Sequence, residues 1–246
     1  MKRVYAVEYA GHEVRYSFLC RRTWLNFRSY IRPVAGEEFD ICATPELMET
    51  GRKLLPEYRD DYVEYRLLIE LTSRHLLKWG CCIFHSAAFV CQGKAWLLAA
   101  PSGTGKTTQF LNWCQLHPGE IEMITGDMPV IEPREDGTVM IHSTPWCGKE
   151  NFGNKDLRAP LGGVILLEQG GENRLEPLEP GEAVIPFFNQ AIVTPGTETE
   201  IRALAKVMDR LIGAGKLAKF INKGDDPSTE MLRAFIIGNR EGGANG

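Results

Sequence analysis

Two glycines one residue apart, followed at once by a lysine and two threonines, constrain this chain more than any other feature. The stretch reads Ala100-Pro-Ser-Gly-Thr-Gly-Lys-Thr-Thr108. An apolar run, Ala95-Trp-Leu-Leu-Ala-Ala100, precedes it as a strand would. A helical segment, Thr107 to Leu116, follows and is stopped by His117-Pro118-Gly119. Small residues in such a turn let several backbone N–H groups converge on an anion at the positive end of a helix dipole. On this reading Ser102, Gly103, Thr104, Gly105 and Thr108 form the cradle. Lys106 reaches the β- and γ-phosphates, and the Thr107 hydroxyl holds Mg²⁺. The strict pattern has Gly where Ala100 stands, so the match is to the looser form of this P-loop (Walker A) motif. The expectation is a nucleoside triphosphate site.

A chain of 246 residues can bury one sizeable core, or one core plus a small appended unit. We expect a small amino-terminal α/β lead-in over 1–58 and a P-loop domain with carboxy-terminal helices over 59–246. At 43% hydrophobic and 24% charged the composition is that of a soluble globular protein. A net charge of −4 with dispersed Lys and Arg argues against nucleic acid as a partner. No apolar run approaches the ~20 residues that cross a bilayer, which argues against a membrane partner. The basic start, Met-Lys-Arg-Val-Tyr, lacks the apolar block of a signal peptide and reads as a strand. The seven cysteines form no Cys-x-x-Cys pair, which argues against a disulfide framework or thiolate zinc and suits a reducing cytoplasm.

Periodicity and breakers predict strands at Val4–Tyr9, Glu13–Phe18 and Glu37–Ala43, then a helix from Tyr62 to Trp79 ended by Gly80. Cys81 to Cys91 reads as an apolar strand interrupted by His85 and Ser86. It turns at Gln92-Gly93-Lys94 into the strand before the glycine loop. Further strands are expected at 122–124, 128–131, 139–142 and 163–167. Pro180 opens a short helix limited by Pro186, Thr197 to Phe220 reads as an amphipathic helix weakened at Gly213 and Gly215, and Glu230 to Ile237 forms a last helix. The tail Glu241-Gly-Gly-Ala-Asn-Gly246 reads as frayed.

Three more residues carry chemistry. His85 interrupts an apolar strand, as a metal ligand, a proton relay or a core histidine bonded to a carbonyl. Asp127, in Thr125-Gly126-Asp127, ends a short strand, where an acidic metal ligand, a base or a plain turn aspartate fits. Lys149 closes Ser143-Thr-Pro-Trp-Cys-Gly-Lys149, either neutralising a phosphoryl group in flight or lying on the surface.

Together these stretches resemble two related groups. Ser102–Thr108 is similar to the phosphate loop of ATP-dependent phosphoenolpyruvate carboxykinases, His85-Ser86-Ala87 to their upstream histidine segment, and Thr125-Gly126-Asp127 to their Ile-Gly-Asp-Asp. The same layout belongs to HPr serine kinase/phosphorylases, which this short chain resembles most, over about residues 80–170. The resemblance implies an α/β, carboxykinase-type P-loop fold with ATP and Mg²⁺ (or Mn²⁺) as cofactors, and the homo-oligomeric habit of those kinases. It implies Thr107, Asp127 and His85 around the metal, and Asp127, Lys106, His85 and Lys149 as catalytic groups, with Asp127 as base or ligand.

The chain departs from the pattern at Met128, where a second acid stands in those families. Glu150 or Glu122 is the substitute acid the sequence offers. Carboxykinase substrate residues and a phosphorylase motif are not found. The leading expectation is therefore ATP-dependent transfer to a hydroxyl-bearing acceptor, such as a serine of a small protein or peptide, running forward only. A nucleotide-responsive binding protein without turnover is the second reading, and carboxykinase chemistry the third.

Overall fold

The computed structural model describes residues 3–238, a mixed α/β protein with two sheets. The 241–246 tail lies outside the described residues. No helix among the described residues is long and apolar enough to cross a membrane.

The first sheet grows from a hairpin. Strands β1 (Val4–Tyr9) and β2 (His12–Ser17) pair antiparallel around Ala10 and Gly11, both at positive φ (50° and 82°). That geometry matches the right-handed twist of the flanking strands. Short edge strands β3 (Arg32–Pro33) and β4 (Ile41–Cys42) complete the order β3-β1-β2-β4. The strand expected over Glu37–Ala43 thus shrinks to two residues, because only Ile41 and Cys42 reach the β2 ladder.

Two helices here were not expected. Helix α1 (Arg21–Phe27) has no cap of its own; the backbone N–H groups of Leu19 and Cys20 donate to the buried Glu64 carboxylate at 2.5 and 2.8 Å. Helix α2 (Pro45–Leu54) starts at the Thr44 cap with proline in its first turn. Helix α3 (Asp60–Leu77) then lies between the sheets. Its Leu68, Ile69 and Leu76 join Tyr9, Tyr16 and Phe27 of the amino-terminal part and Ile83, Val130 and Trp146 of the second in one core.

The second sheet contains β5 (Cys82–Ile83), β6 (Ser86–Cys91), β7 (Lys94–Ala99), β8 (Ile121–Thr125), β9 (Val130–Pro133), β10 (Val139–His142), β11 (Arg158–Gln169), β12 (Arg174–Pro177) and β13 (Lys216–Asn222), in the order β5-β9-β10-β11-β7-β6-β8, with β13 and then β12 attached at β11. Strands β7, β11 and β13 run parallel; the remaining pairings are antiparallel. Alternation sorts the two faces. In β7, Ala95, Leu97 and Ala99 face the core of helices α5 (Pro180–Gln190) and α6 (Glu198–Gly213). Trp96 and Leu98 face that of α4 (Lys106–Leu116) and α7 (Asp226–Ile237). Burial on both faces explains why this strand reads as a continuous apolar run.

Three expectations along this half need correction. Helix α5 does not stop at Pro186 but runs to Gln190; the missing proline N–H costs one internal bond, while buried Phe187 packs against Phe84 with ring centroids 5.7 Å apart. The helix expected over Thr197–Phe220 ends at Gly213, and Lys216–Asn222 is strand β13. There Ala218, Phe220 and Asn222 are buried at a period of two that the helical reading overran. The strand from Cys81 to Cys91 is broken at Phe84 and His85, which pair instead with residues 190–191.

Candidate functional site

The turn between β7 and α4 holds Gly103 and Gly105 at φ +84° and +96°, where an L side chain is strained. Gly105 stands at the N-cap of α4, and the first residues of that helix, Lys106, Thr107 and Thr108, line the cleft. The loop is pinned from two sides: the Thr104 hydroxyl donates to Pro101 O at 2.8 Å, and Gln169 Nε2 donates to Gly103 O at 3.3 Å. Lys106 opens the helix and is almost wholly buried. Its ammonium folds back, donating to Ala100 O at 2.7 Å and Pro101 O at 3.2 Å. Burial lowers the Lys106 pKa and the Asp127 charge partly restores it, as expected of an ammonium held among carbonyls with no full counter-charge.

His85 sits in the gap between β5 and β6. Its backbone N–H donates to Gln190 O at 2.8 Å, and its Nδ1 lies 3.1 Å from Gln190 Oε1. Nε2 is 3.4 Å from the Lys106 ammonium and 3.2 Å from Asp127 Oδ1. A neutral ring with Nδ1–H toward Gln190 accepts at Nε2 from Lys106; a doubly protonated ring donates there to Asp127. One nitrogen therefore faces two neighbours with opposite demands.

Asp127 is carried off the end of β8 by Gly126. A Cβ at Gly126 would stand 2.8 Å from Cys147 O, so glycine is required for this approach. The Gly126 N–H donates to Phe152 O at 2.7 Å, and Asp127 O accepts from Ser86 N at 2.8 Å. The Asp127 carboxylate keeps 25% of its surface exposed. The 143–154 segment packs beside it: buried Trp146 stacks on Tyr9, and Gly148, at φ +79°, rests against Asp127.

Three side chains far apart in sequence, Lys106, His85 and Asp127, thus meet at one point. Thr107, Thr108, Ser102, Gly103 and Gly105 line the same cleft, and so does the exposed Lys149. Thr104 supports the loop through its bond to Pro101. Met128, where a second acid was looked for, is buried in the core around Trp146. Of the two substitute acids, Glu150 lines the cleft, whereas Glu122 lies on β8 and accepts from Asn154 at 2.8 Å. No group of three or more His, Cys, Asp and Glu converges among the described residues. Any metal bound here would take Asp127, His85 and Thr107 together with oxygens of its ligand.

The cleft measures about 1600 Å³, more than the 300–1,000 Å³ usual for one small ligand. Sequence reasoning missed its far wall, formed by α1, the 57–62 segment and α3. It also missed Gln190, whose contact with His85 spans 105 residues and has no local signal.

No family model matches this chain, and no curated protein matches it. Among solved structures, the HPr(Ser) kinase/phosphatase from Coxiella burnetii is a weak structural neighbour. It is 10% identical over 52% of this chain and 87% of that one, with a TM-score of 0.28.

Proposed function

We propose that the β7–α4 turn is a P-loop of the HPr-kinase type and that the protein is an ATP-dependent phosphotransferase acting on a hydroxyl. One observation carries this reading: His85 Nε2 lies 3.4 Å from the Lys106 ammonium and 3.2 Å from the Asp127 carboxylate, at the amino terminus of a helix reached through a glycine turn. The loop amides and the helix dipole suit a polyphosphate. Lys106, held by two carbonyls, is a cation that gains by exchanging them for phosphate oxygens. The Thr107 hydroxyl and the Asp127 carboxylate are the hard oxygen donors that Mg²⁺ prefers, and His85 extends the set toward Mn²⁺. A bound divalent ion supplies neutralisation of the phosphate charge.

The chain's own residues do the rest. Asp127 takes the proton of the acceptor hydroxyl. That oxygen bonds to the γ-phosphorus as the bond to the bridging oxygen breaks, and ADP leaves. His85, oriented by Gln190, sets the position of the carboxylate. Lys149, on the facing loop, offsets charge as the group moves. Positioning and electrostatics supply most of the catalysis in phosphoryl transfer, so this set is sufficient.

Transfer from radiolabelled ATP tests the reading. Lys106→Ala should abolish tight ATP binding, while Asp127→Asn should keep binding and cut transfer by about 10²–10⁴-fold. Tight ATP binding by the wild type with no transfer to any hydroxyl would favour the second reading, a nucleotide-responsive binding protein. The observation behind that alternative is Met128, buried where a second acid would work.

A further inference from the structure

The cleft does not end at Asp127. Its far wall carries Arg22 from α1, Arg28 just beyond it, Arg59 from the 57–62 segment and Arg66 from α3. A single carboxylate, Asp61, serves two of them, with Arg22 and Arg59 each 3.4 Å away. Arg28 and Arg66 have no ion pair or side-chain hydrogen bond among the described residues, although both are exposed on the cleft. Two carboxylates, Asp61 and Glu57, line this wall beside the four arginines, so cations outnumber acids there although the chain as a whole carries a net charge of −4.

The same wall is aromatic. Tyr58 and Tyr62 stack at 4.3 Å, and Tyr62 and Tyr65 follow at 6.4 Å, both pairs nearly parallel. Tyr58, Tyr62 and Leu25 are all more than a third exposed, which is costly for an apolar face unless something covers it. The ladder leads inward. Burial holds the Tyr65 hydroxyl well above its ordinary pKa, and the Asp127 charge adds to this, so Tyr65 lies within electrostatic reach of the catalytic carboxylate.

We propose that this wall is the acceptor subsite and that it takes an acidic peptide segment, laid over the tyrosine ladder with its serine or threonine hydroxyl at Asp127. The proposal rests on the kinase reading above. Cations spread over three elements suit several carboxylates along a chain better than one small acid, which a single arginine fork would satisfy. Exposed rings between them supply the apolar contact that an extended peptide makes and a compact anion does not.

The test uses the full chain and three labelled peptides of equal length, each with a central serine flanked by Glu, Gln or Lys. Anisotropy reads binding, radiolabelled ATP reads transfer, and calorimetry on the same samples reads ATP affinity. The Glu peptide should bind at least about tenfold tighter than the Gln peptide, the gain falling with salt. Arg28→Ala/Arg66→Ala should remove about tenfold of that affinity without loss of the thermal transition. Arg28→Glu/Arg66→Glu should turn the preference toward the Lys peptide. Equal binding of Glu and Gln peptides overturns the subsite, as does a double variant that still binds the Glu peptide fully. Competition by succinate or phosphate at the peptide's own concentration overturns the peptide in favour of a small anion. Charge-selective binding with no transfer would leave the subsite standing and sink the kinase reading.

Discussion

The two ends of the cleft are built by opposite strategies. At the glycine-loop end, the groups come from consecutive residues: a β-strand delivers a turn, the turn delivers a helix amino terminus, and Lys106 follows at once. The amino-terminal wall instead joins two stretches far apart in sequence, 22–30 and 57–66. The chain entering helix α1 is held by Glu64, on α3, which accepts from the N–H groups of Leu19 and Cys20 just before the helix, across 45 and 44 residues. The difference is one of physics. The phosphate cradle proposed for this turn would be mostly backbone, so it needs only a short local code. A surface that selects a partner is mostly side chain, so it draws on whichever elements the fold brings near.

The largest effect that sharpens this contrast should come from Gly126→Ala. A Cβ there meets the Cys147 carbonyl at 2.8 Å, a backbone atom that cannot swing aside. The strand end must shift, moving Asp127 relative to His85 and the loop. A displacement near 1 Å at such a site costs about 10²-fold in turnover. ATP affinity measured by calorimetry should remain close to the wild-type value, since the loop itself is untouched. Equal losses of binding and turnover would mean that the two ends are not separable. Gly105→Ala is the converse. Nothing lies within 4 Å of its added Cβ, so the cost is purely that of a left-handed backbone, about 1–2 kcal/mol, and it should appear in ATP binding.

Next in size is Glu64→Ala, which should destabilise the protein by about 3 kcal/mol, the loss of two charge-assisted bonds from part-buried amides to a buried carboxylate. Thermal unfolding with and without ATP analogue checks it. The ligand-induced rise in Tm should persist while peptide binding at the wall falls. A melting temperature within a degree of wild type would remove the cap from the account of α1.

Legibility in the sequence followed the same division. The glycine turn, β6, β7 and α4 carry their period and breakers locally, so they could be read directly, and so could the β1–β2 hairpin. Helix α1 could not, because its cap lies on α3. Helix α2 could have been, since Thr44-Pro45-Glu46 is a local start signal. Strand β13 was lost because Ile201 to Ile212 is so regular that the pattern was carried past Gly213. In the site, His85 and Asp127 were identifiable by residue type and surroundings, but their 3.2 Å approach is a product of the fold. Gln190 and the arginine wall are set by tertiary contact alone.

Far from the cleft, the Arg233–Glu120 pair fastens α7 to the turn after α4 with bonds of 2.7 and 2.6 Å. The Arg233 hydrogen bond, above all, lowers the Glu120 pKa from 4.5 to about 2. Because the folded value is the lower one, the stabilisation is complete above the unfolded value and is lost as pH falls from about 5 toward 2. Both side chains are about a third exposed, so solvent screening holds the effect to about 1 kcal/mol. Denaturant titrations at pH 7, 3 and 2 should show the deficit of Glu120→Gln against wild type largest at pH 7, smaller at pH 3 and nearly closed at pH 2. A constant gap across that range would assign the contribution to packing.

The smallest effect tests orientation. Gln190→Ala removes the partner of His85 Nδ1 and leaves the ring held through Nε2 by Lys106 and Asp127. If Gln190 acts by fixing the tautomer that faces Lys106, kcat should fall by about 3- to 10-fold with KM for ATP unchanged. The pH profile of kcat should shift as well, because Nε2 would then be free to serve Lys106 or Asp127. Gln190→Glu is the informative companion. A carboxylate at Nδ1 favours the doubly protonated ring, which directs Nε2–H to Asp127 and releases Lys106. Its profile should move in the opposite direction to that of an uncharged replacement. If both variants gave the wild-type profile, Gln190 would be a structural clasp on α5, and the His85 ring would be set by Lys106 and Asp127 alone.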